Sequence, residues 1–172
     1  MGKKYKTGLA IMRVQPLHIG HENVICKMLS ECDVGVILVG SANAPLGNRN
    51  PFTADQRVQM IRNIFADDNL QLGKIDDLGN SKLWAGYVLA EVWKNLRAEV
   101  DAYYCGVGQD GDLFRAHGLS VIEMPRDEIP ISATEIRNRL AAGDKEVLKY
   151  VHRENKKLVT KILLKKGNKN EK

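Results

Sequence analysis

Two short and nearly continuous apolar runs constrain the fold most strongly, because a chain must cover such runs on both faces. They are Leu9–Met12 and Val34–Val39, and each leads into a loop that contains glycine and polar residues. Buried parallel strands have this pattern, whereas strands with one solvent face alternate apolar and polar residues. The runs therefore predict two strands inside a parallel sheet.

Predicted strands and predicted helices alternate along the rest of the chain. Parallel strands joined by helices use right-handed crossovers, so the rhythm predicts an α/β fold with a doubly wound parallel sheet and ligands beyond the carboxyl ends of its strands. Two helices near the end predict a C-terminal helical appendage. The remaining predicted strands cover 70–75, 102–105 and 119–124, and the predicted helices lie near 21–32, 54–65, 82–96, 110–117, 134–142 and 144–165.

The size and the cysteine pattern limit the class of protein. A chain of 172 residues with 44% hydrophobic content is expected to form one domain, 1–172, around a sizeable core. It has no apolar run of about 18 residues, so no membrane span is predicted and a cytoplasmic location is expected. Cys26, Cys32 and Cys105 lack C-x-x-C spacing and are expected to be buried thiols.

Basic residues are concentrated at the C-terminal end. Residues 153–172 hold eight Lys or Arg and two Glu, a net charge of +6, although the whole chain carries +5. Such a tail is usually a solvated helix face with a frayed end, and only sometimes binds nucleic acid or an acidic partner. We therefore expect a basic helix ending in disorder over Gly167–Lys172, and not a protein whose main ligand is nucleic acid.

Two segments, each after a predicted strand and at the start of a predicted helix, carry the chemistry. They are Pro16–His21 and Ile131–Arg137. A helix N-terminus presents free N–H groups and the positive end of its dipole to an anion. Two such termini at one edge of a sheet predict a polyphosphate site.

The residue types in the first segment suit phosphate binding. The imidazoles of His18 and His21, three positions apart, can converge on one phosphate chain, and Gly20 has no side chain to block its approach. Arg13 ends the preceding strand, where an unpaired guanidinium is costly to bury. Its partner is expected to be an anion, either a substrate phosphate or an Asp or Glu side chain.

The second segment predicts a capped helix start. Ser132-Ala133-Thr134-Glu135 fits a capping box, in which Ser132 accepts from the N3 amide and Glu135 reaches back. The Thr134 hydroxyl and the planar guanidinium of Arg137 complete an anion cradle, in which Arg137 is suited to bidentate contacts with the β- and γ-phosphates. Arg139 is expected to point elsewhere and to be solvated.

In combination these residues resemble the H-x-G-H and I-S-x-T-x-x-R signatures of the nucleotidylyltransferase superfamily. The order of the remaining motifs is similar to that of the archaeal-type nicotinamide mononucleotide (NMN) adenylyltransferases. The similarity runs from about Thr7 to about Gly143. It rests further on Arg13-Val14-Gln15-Pro16, Gly40-Ser41-Ala42, Asn50-Pro51-Phe52-Thr53, Asn80 and Trp84.

The resemblance implies a Rossmann-like fold and the transfer of AMP from ATP to NMN, which gives NAD and pyrophosphate. It also implies Mg²⁺ carried mainly by the ATP phosphates, with no protein metal ligand assigned, and makes a homo-oligomer plausible. The implied catalytic residues are His18, His21 and Arg137, the implied phosphate-binding residues are Arg13, Gly20, Ser132 and Thr134, and the implied acceptor-binding residues are Gln15, Ser41, Asn80 and Trp84.

Several of these side chains also have a plain structural interpretation. Gln15 can simply pack its loop, and Trp84 recurs with Val88 and Val92 at the four-residue spacing of a core-facing helix. Thr53 is expected to cap the next helix and Asn50 to organise its loop. Asp110 and Asp112 can assist Mg²⁺ or ribose binding, although acidic loop residues are mostly solvated.

Two other functions fit the same motifs. A related transferase with FMN, phosphopantetheine or a cytidine nucleotide as substrate would keep both phosphate segments and differ around Ser41, Asn80 and Trp84. A nonenzymatic nucleotide- or nucleic-acid-binding module would use the basic tail. Turnover with an acceptor separates the first from the second.

Overall fold

Five parallel strands form one sheet in the computed structural model of the protein, which describes residues 2–108, 110–125 and 131–167. The strand order is β3-β2-β1-β4-β5, so the chain reverses its direction of winding at β1. This is the predicted doubly wound arrangement, and its switch point lies between β1 and β4. The strands are β1 Tyr5–Met12, β2 Cys32–Val39, β3 Leu70–Lys74, β4 Ala102–Gly106 and β5 Ser120–Met124.

Helices cover both faces of the sheet and explain the continuous apolar runs. Along β1 and β2, Ala10 and Ile37 belong to the core under α1, α2, α5 and α6, whereas Leu9 and Val36 belong to the core under α3 and α4. The central positions of these strands, 7–10 and 35–39, are therefore all buried on one side or the other. The helices are α1 Ile19–Glu31, α2 Ala54–Arg62, α3 Trp84–Leu96, α4 Gly111–Arg115, α5 Ala133–Ala141 and α6 Arg153–Gly167, with 3₁₀ helices at Ser81–Leu83 and Lys145–Tyr150.

The C-terminal appendage is confirmed, but the single helix predicted at 144–165 is wrong. A 3₁₀ helix ends at Tyr150, Val151 is extended and buried, and α6 begins only at Arg153. The break follows from burial of the Val151 side chain and from His152, whose Nδ1 accepts from the Glu154 amide and restarts the helix. Disorder was predicted over Gly167–Lys172: Gly167 instead ends α6, and 168–172 lie outside the described residues.

The last helix is anchored to the rest of the fold through a buried amide. Asn155 is fully buried, donates to the Met60 carbonyl at 2.9 Å, and accepts from the Asn63 side chain at 2.8 Å. Val159 and Leu163 of the same helix join the core that covers the sheet. No helix in the described part of the chain is long and apolar enough to cross a membrane.

Candidate active site

A cavity of about 400 Å³ opens at the carboxyl end of β1, beside the starts of α1 and α5. It unites the two segments that the sequence singled out, which are far apart along the chain. Its position matches the ligand site expected of a doubly wound sheet. The lining residues are Arg13, Val14, Gln15, His21, Arg49, Ala133, Thr134 and Arg137.

Three guanidinium groups give this cavity a strong positive potential. Burial lowers the pKa of Arg137, and the charges of Arg13 and Arg49 lower it further. The Arg13 Nη2 donates to the Asn50 side-chain oxygen, an uncharged partner, and the buried Arg13 Nε has no hydrogen-bond partner among the described residues. A cluster of like charges with an unsatisfied donor calls for an anionic ligand.

The two histidines of the first segment cap α1. His18 Nδ1 accepts from the Gly20 amide at 3.1 Å, His21 Nδ1 accepts from the His18 amide at 3.4 Å, and the ring centroids lie 4.0 Å apart. Because Nδ1 is the acceptor in both rings, the neutral form of each carries its proton on Nε2. The caps also explain why α1 begins at Ile19, two residues before the predicted start.

Gly20 is required for a reason that the sequence did not indicate. A Cβ atom at this position would lie 2.9 Å from Cε1 and 3.1 Å from Nδ1 of the His18 ring. The missing side chain therefore makes room for the capping imidazole itself. Its predicted effect on the approach of phosphate stays a prediction.

The start of α5 holds Arg137 in place. Ser132 caps the helix by accepting from the Glu135 amide at 3.1 Å, as predicted. Arg137 donates to the Gln15 carbonyl at 2.7 Å and to the Thr134 hydroxyl at 3.0 Å. The guanidinium is thus fixed between the two signature segments.

One expectation for this helix is wrong, and a second is incomplete. The Glu135 carboxylate, expected to reach back to the helix start, accepts instead from Arg139 at 3.3 Å. Arg139, expected to be solvated, also donates to Asp144 at 2.8 Å. The pair with Glu135 joins side chains at i,i+4 spacing on α5, whereas Asp144 lies beyond the end of the helix.

The loop after β1 is tied to the loop before α2. The Gln15 amide group is 3% exposed and pairs with Phe52 twice, through its nitrogen to the carbonyl and through its oxygen to the amide, each at 3.0 Å. Loop packing, one of the two interpretations left open for Gln15, is what this geometry favours. The predicted capping box from Thr53 to Gln56 is confirmed in both directions.

The predicted acceptor residues follow β2 and β3 at the same sheet edge. Ser41 is 8% exposed and donates to Asp77 at 3.0 Å. Asn80 is exposed and caps the first 3₁₀ helix by accepting from the Lys82 amide at 3.1 Å. Neither side chain lines the cationic cavity.

Trp84 combines the two roles that the sequence left open. Its ring packs against the second core, while its Nε1 donates to Asp110 at 2.7 Å. The same carboxylate accepts from the buried Tyr103 hydroxyl at 2.7 Å. Asp110 thus orients the indole, and Asp112 pairs with Arg115 at the surface.

Two arginines of this region escaped the sequence interpretation. Arg49 lines the cavity directly beside the motif that begins at Asn50. Arg57 is 2% exposed and binds the main-chain carbonyls of Arg13 and Gly40. Burial of Arg57 could have been predicted from the sequence, because Met60 and Ile61 follow at three and four residues and mark a core-facing stripe that includes position 57.

Comparison with known proteins shows the family of the chain. The cytidylyltransferase-like family matches residues 13–139. The nicotinamide-nucleotide adenylyltransferase of Thermococcus kodakarensis is 34% identical over 146 residues, 81% of this chain and 74% of the relative. That of Pyrococcus abyssi is 31% identical over 157 residues, 84% of this chain and 81% of the relative. The chain belongs to the nicotinamide-nucleotide adenylyltransferase family.

Solved structures show the same fold at lower identity. A bifunctional NMN adenylyltransferase/ADP ribose pyrophosphatase from Francisella tularensis, complexed with AMP and manganese ion, has a TM-score of 0.70 at 20% identity. It is matched over 96% of this chain and 53% of its own, so the chain spans about half its length. NadR protein in complex with NAD and AMP-PNP has a TM-score of 0.64 at 19% identity, over 90% of this chain and 47% of its own.

Proposed function

We propose that the protein transfers AMP from ATP to nicotinamide mononucleotide, with NAD and pyrophosphate as products. The observation that carries this proposal is the cavity in which Arg13, Arg49 and Arg137 meet at the carboxyl end of β1. A polyphosphate neutralises three guanidinium groups at once, which a monoanion does not. Family membership supports the choice of NMN as the acceptor.

The reaction needs positioning and charge rather than a protein nucleophile. A phosphate oxygen of NMN forms a bond to the α-phosphorus of ATP, and the bond from that phosphorus to the bridging oxygen breaks as pyrophosphate leaves. Negative charge then collects on the nonbridging and departing oxygens. Donors fixed before the reaction stabilise that charge without reorganising.

Each predicted catalytic side chain has a role in this step. Arg137, held by Gln15 and Thr134, is placed to bind the β- and γ-phosphates as they depart. His18 and His21 keep their Nδ1 atoms on the helix start, and in this proposal their Nε2–H groups donate to an α-phosphate oxygen. Arg13 supplies a further N–H, at its buried Nε.

Mg²⁺ fits this site as a partner of ATP. Three guanidinium groups repel a bare divalent cation, whereas the phosphate oxygens of ATP are ligands that Mg²⁺ prefers. Such an ion would offset the charge of the polyphosphate during bond cleavage. The protein side of the site contributes the cations and amides around it.

The acceptor binds, in this proposal, over the neighbouring loops. Ser41 and Asn80 offer a hydroxyl and an amide, and the face of Trp84 offers a surface for the nicotinamide ring. Hydrogen bonds to Asp77 and Asp110 hold Ser41 and Trp84 in fixed orientations. A fixed aromatic plane lowers the entropic cost of binding a flat ring.

The remaining predictions extend this proposal. We regard 1–172 as one domain, since Val159 and Leu163 of α6 share a core with the sheet. The three cysteines are free thiols, which suits the predicted cytoplasmic location; Cys32 and Cys105 are buried as expected, whereas Cys26 is exposed. Self-association stays a prediction, and nucleic acid binding by the basic end is a minor alternative.

The decisive experiment is an assay of pyrophosphate release from ATP and Mg²⁺, with and without NMN, together with chromatography for NAD. We expect release that depends on NMN and equals the NAD formed. Parallel reactions contain nicotinic acid mononucleotide, FMN or phosphopantetheine. Turnover with one of the last two and not with NMN would reject the proposed acceptor, and no turnover with any of them would favour a binding module.

A further inference from the structure

A buried arginine outside the cavity lining binds the main chain of one of the lining residues. Arg57 of α2 is 2% exposed, and its guanidinium donates to four main-chain carbonyls. None of these partners is a carboxylate, so the charge is buried at a cost that main-chain dipoles offset. The distances are 2.9 Å to Arg13, 2.6 Å to Gly40, 3.1 Å to Ser41 and 3.3 Å to Thr53.

These carbonyls adjoin the two most unusual backbone positions of the site. Val14 has a φ of 51° and follows the Arg13 carbonyl, and Ser41 has a φ of 49° between the carbonyls of Gly40 and Ser41. Left-handed backbone is costly for residues with a Cβ atom, above all for β-branched valine. Such positions persist only where the surroundings hold them.

The two backbone segments that Arg57 binds belong to different parts of the proposed site. Arg13 belongs to the loop after β1, which lines the cationic cavity and leads to His18. Ser41 begins the loop after β2, on the acceptor side. A single guanidinium therefore connects a phosphate-binding loop with an acceptor-binding loop. A lysine ammonium has three donors on a flexible stem and does not reproduce this planar fork.

We infer that Arg57 is a positioning residue for adenylyl transfer, because its planar fork fixes the loop after β1 relative to the loop after β2. The inference rests on the proposed function for the reaction it serves. It does not require Arg57 to touch a substrate. Displacement of reacting groups by about 1 Å can lower a rate 100-fold, so small shifts of these loops matter.

The test compares Arg57→Lys and Arg57→Gln with the matched changes Arg62→Lys and Arg62→Gln on the exposed face of the same helix. All rates are measured at a temperature well below the midpoint of thermal unfolding of each variant, with circular dichroism as a check of folding. We expect kcat to fall about 100-fold in both Arg57 variants, and to stay within about twofold in both Arg62 variants. Lysine keeps the positive charge and glutamine does not. Equal losses of kcat in the two Arg57 variants would therefore assign the effect to the planar guanidinium and not to its charge.

A second measurement separates positioning from general stability. Arg57→Lys is combined with Arg13→Gln, and its effect on kcat is expected to shrink to about tenfold or less in that background, because coupled residues are not additive. Folded Arg57→Lys enzyme with a wild-type rate would overturn the inference. Failure of both Arg57 variants to fold would also overturn it, since the residue would then be structural.

The outcome for Arg57 is distinguishable from that of the proposed function. If the wild-type protein makes no NAD, the proposed acceptor fails, and Mg-ATP binding is then measured by calorimetry without any acceptor. Arg57→Lys is expected to weaken that binding about tenfold, because Arg13 is displaced. Unchanged affinity in the folded variant would reject the role of Arg57 independently of the acceptor.

Discussion

The two sides of the candidate active site are built on opposite charge. On the phosphate side, Arg13, Arg49 and Arg137 meet around one cavity. On the acceptor side, Ser41 and Trp84 donate to carboxylates, at 3.0 Å to Asp77 and 2.7 Å to Asp110. The positive charge of the phosphate side has to be neutralised by a ligand, whereas the polar groups of the acceptor side hydrogen-bond to each other.

This difference predicts that the phosphate side determines the reaction rate and the acceptor side determines which acceptor binds. Uncompensated donors that point at developing negative charge act most strongly in the transition state. A rigid, internally bonded surface contributes to binding alike in the ground state and the transition state. Substitutions on the phosphate side should therefore change kcat, and substitutions on the acceptor side should change the KM for NMN.

The largest effect is expected from Arg137→Ala. We predict a loss of kcat on the order of 10³-fold, because this cation binds the charge that appears as pyrophosphate departs. Stability should fall by only about 1 kcal/mol, since the bonds to Gln15 and Thr134 are few. Steady-state kinetics and urea unfolding check both values, with Arg139→Ala as the matched change. A loss of folding that accounts for the lost rate would make Arg137 structural.

The next effect concerns His18, which has a cap and a proposed catalytic role. His18→Asn can keep the cap through its side-chain oxygen, whereas His18→Ala loses it. We expect both to lower kcat on the order of 10²-fold, and only alanine to lower stability, by about 1 kcal/mol. Wild-type turnover by the asparagine variant would reduce His18 to a helix cap and weaken the contrast between the two sides.

A smaller effect is expected on the acceptor side. Trp84→Phe removes the N–H that binds Asp110 but keeps an aromatic ring. The KM for NMN should rise about tenfold, about 1.4 kcal/mol, with the KM for ATP unchanged. Trp93→Phe, at a half-exposed position of the same helix, is the control. A fall in kcat with an unchanged KM for NMN would contradict the division of roles.

The smallest effect lies beside the phosphate side, at Glu22 of α1. Burial raises the pKa of this carboxyl above its ordinary 4.5, although His152 opposes the shift, and its Oε1 has no hydrogen-bond partner among the described residues. The folded state therefore holds the proton more tightly, and stability falls as the pH rises from the ordinary value through the folded one.

Glu22→Gln should remove the loss of stability that occurs as the Glu22 carboxyl ionises. We expect a gain of about 1 kcal/mol in unfolding free energy near neutral pH and little difference below about pH 4. Urea titrations of both proteins across this range provide the measurement. An equal difference at all pH values would show that the carboxyl does not titrate between folded and unfolded states.

Much of the fold could be predicted because it depends on local patterns. Continuous apolar runs require covered faces, and both faces of β1 and β2 are indeed covered. The two phosphate segments converge because the carboxyl ends of parallel strands meet at one edge. Residues such as Arg137 and Thr134 follow from short motifs with a fixed relation to a helix start.

The remaining features depend on distant backbone groups or on unusual caps. Arg57 binds carbonyls from two loops, those after β1 and β2, and nothing within α2 itself indicates that the loop after β1 is among them. The helix start at Arg153 depends on a histidine cap, and histidine is not a preferred capping residue. The sequence left two interpretations open for Asp110, help with Mg²⁺ or ribose binding and a solvated loop position. Its contacts with Trp84 and Tyr103 arise from sheet order.

The contact between Arg137 and the Gln15 carbonyl joins residues 122 positions apart in sequence. A ribosome releases the early histidine segment long before the arginine that lies opposite it. A nascent chain that has reached only β5 can have its sheet and its capped first helix without the guanidinium of Arg137 in the cavity. The site is thus among the last parts of the protein to mature during synthesis, so unfinished chains should not transfer AMP from ATP.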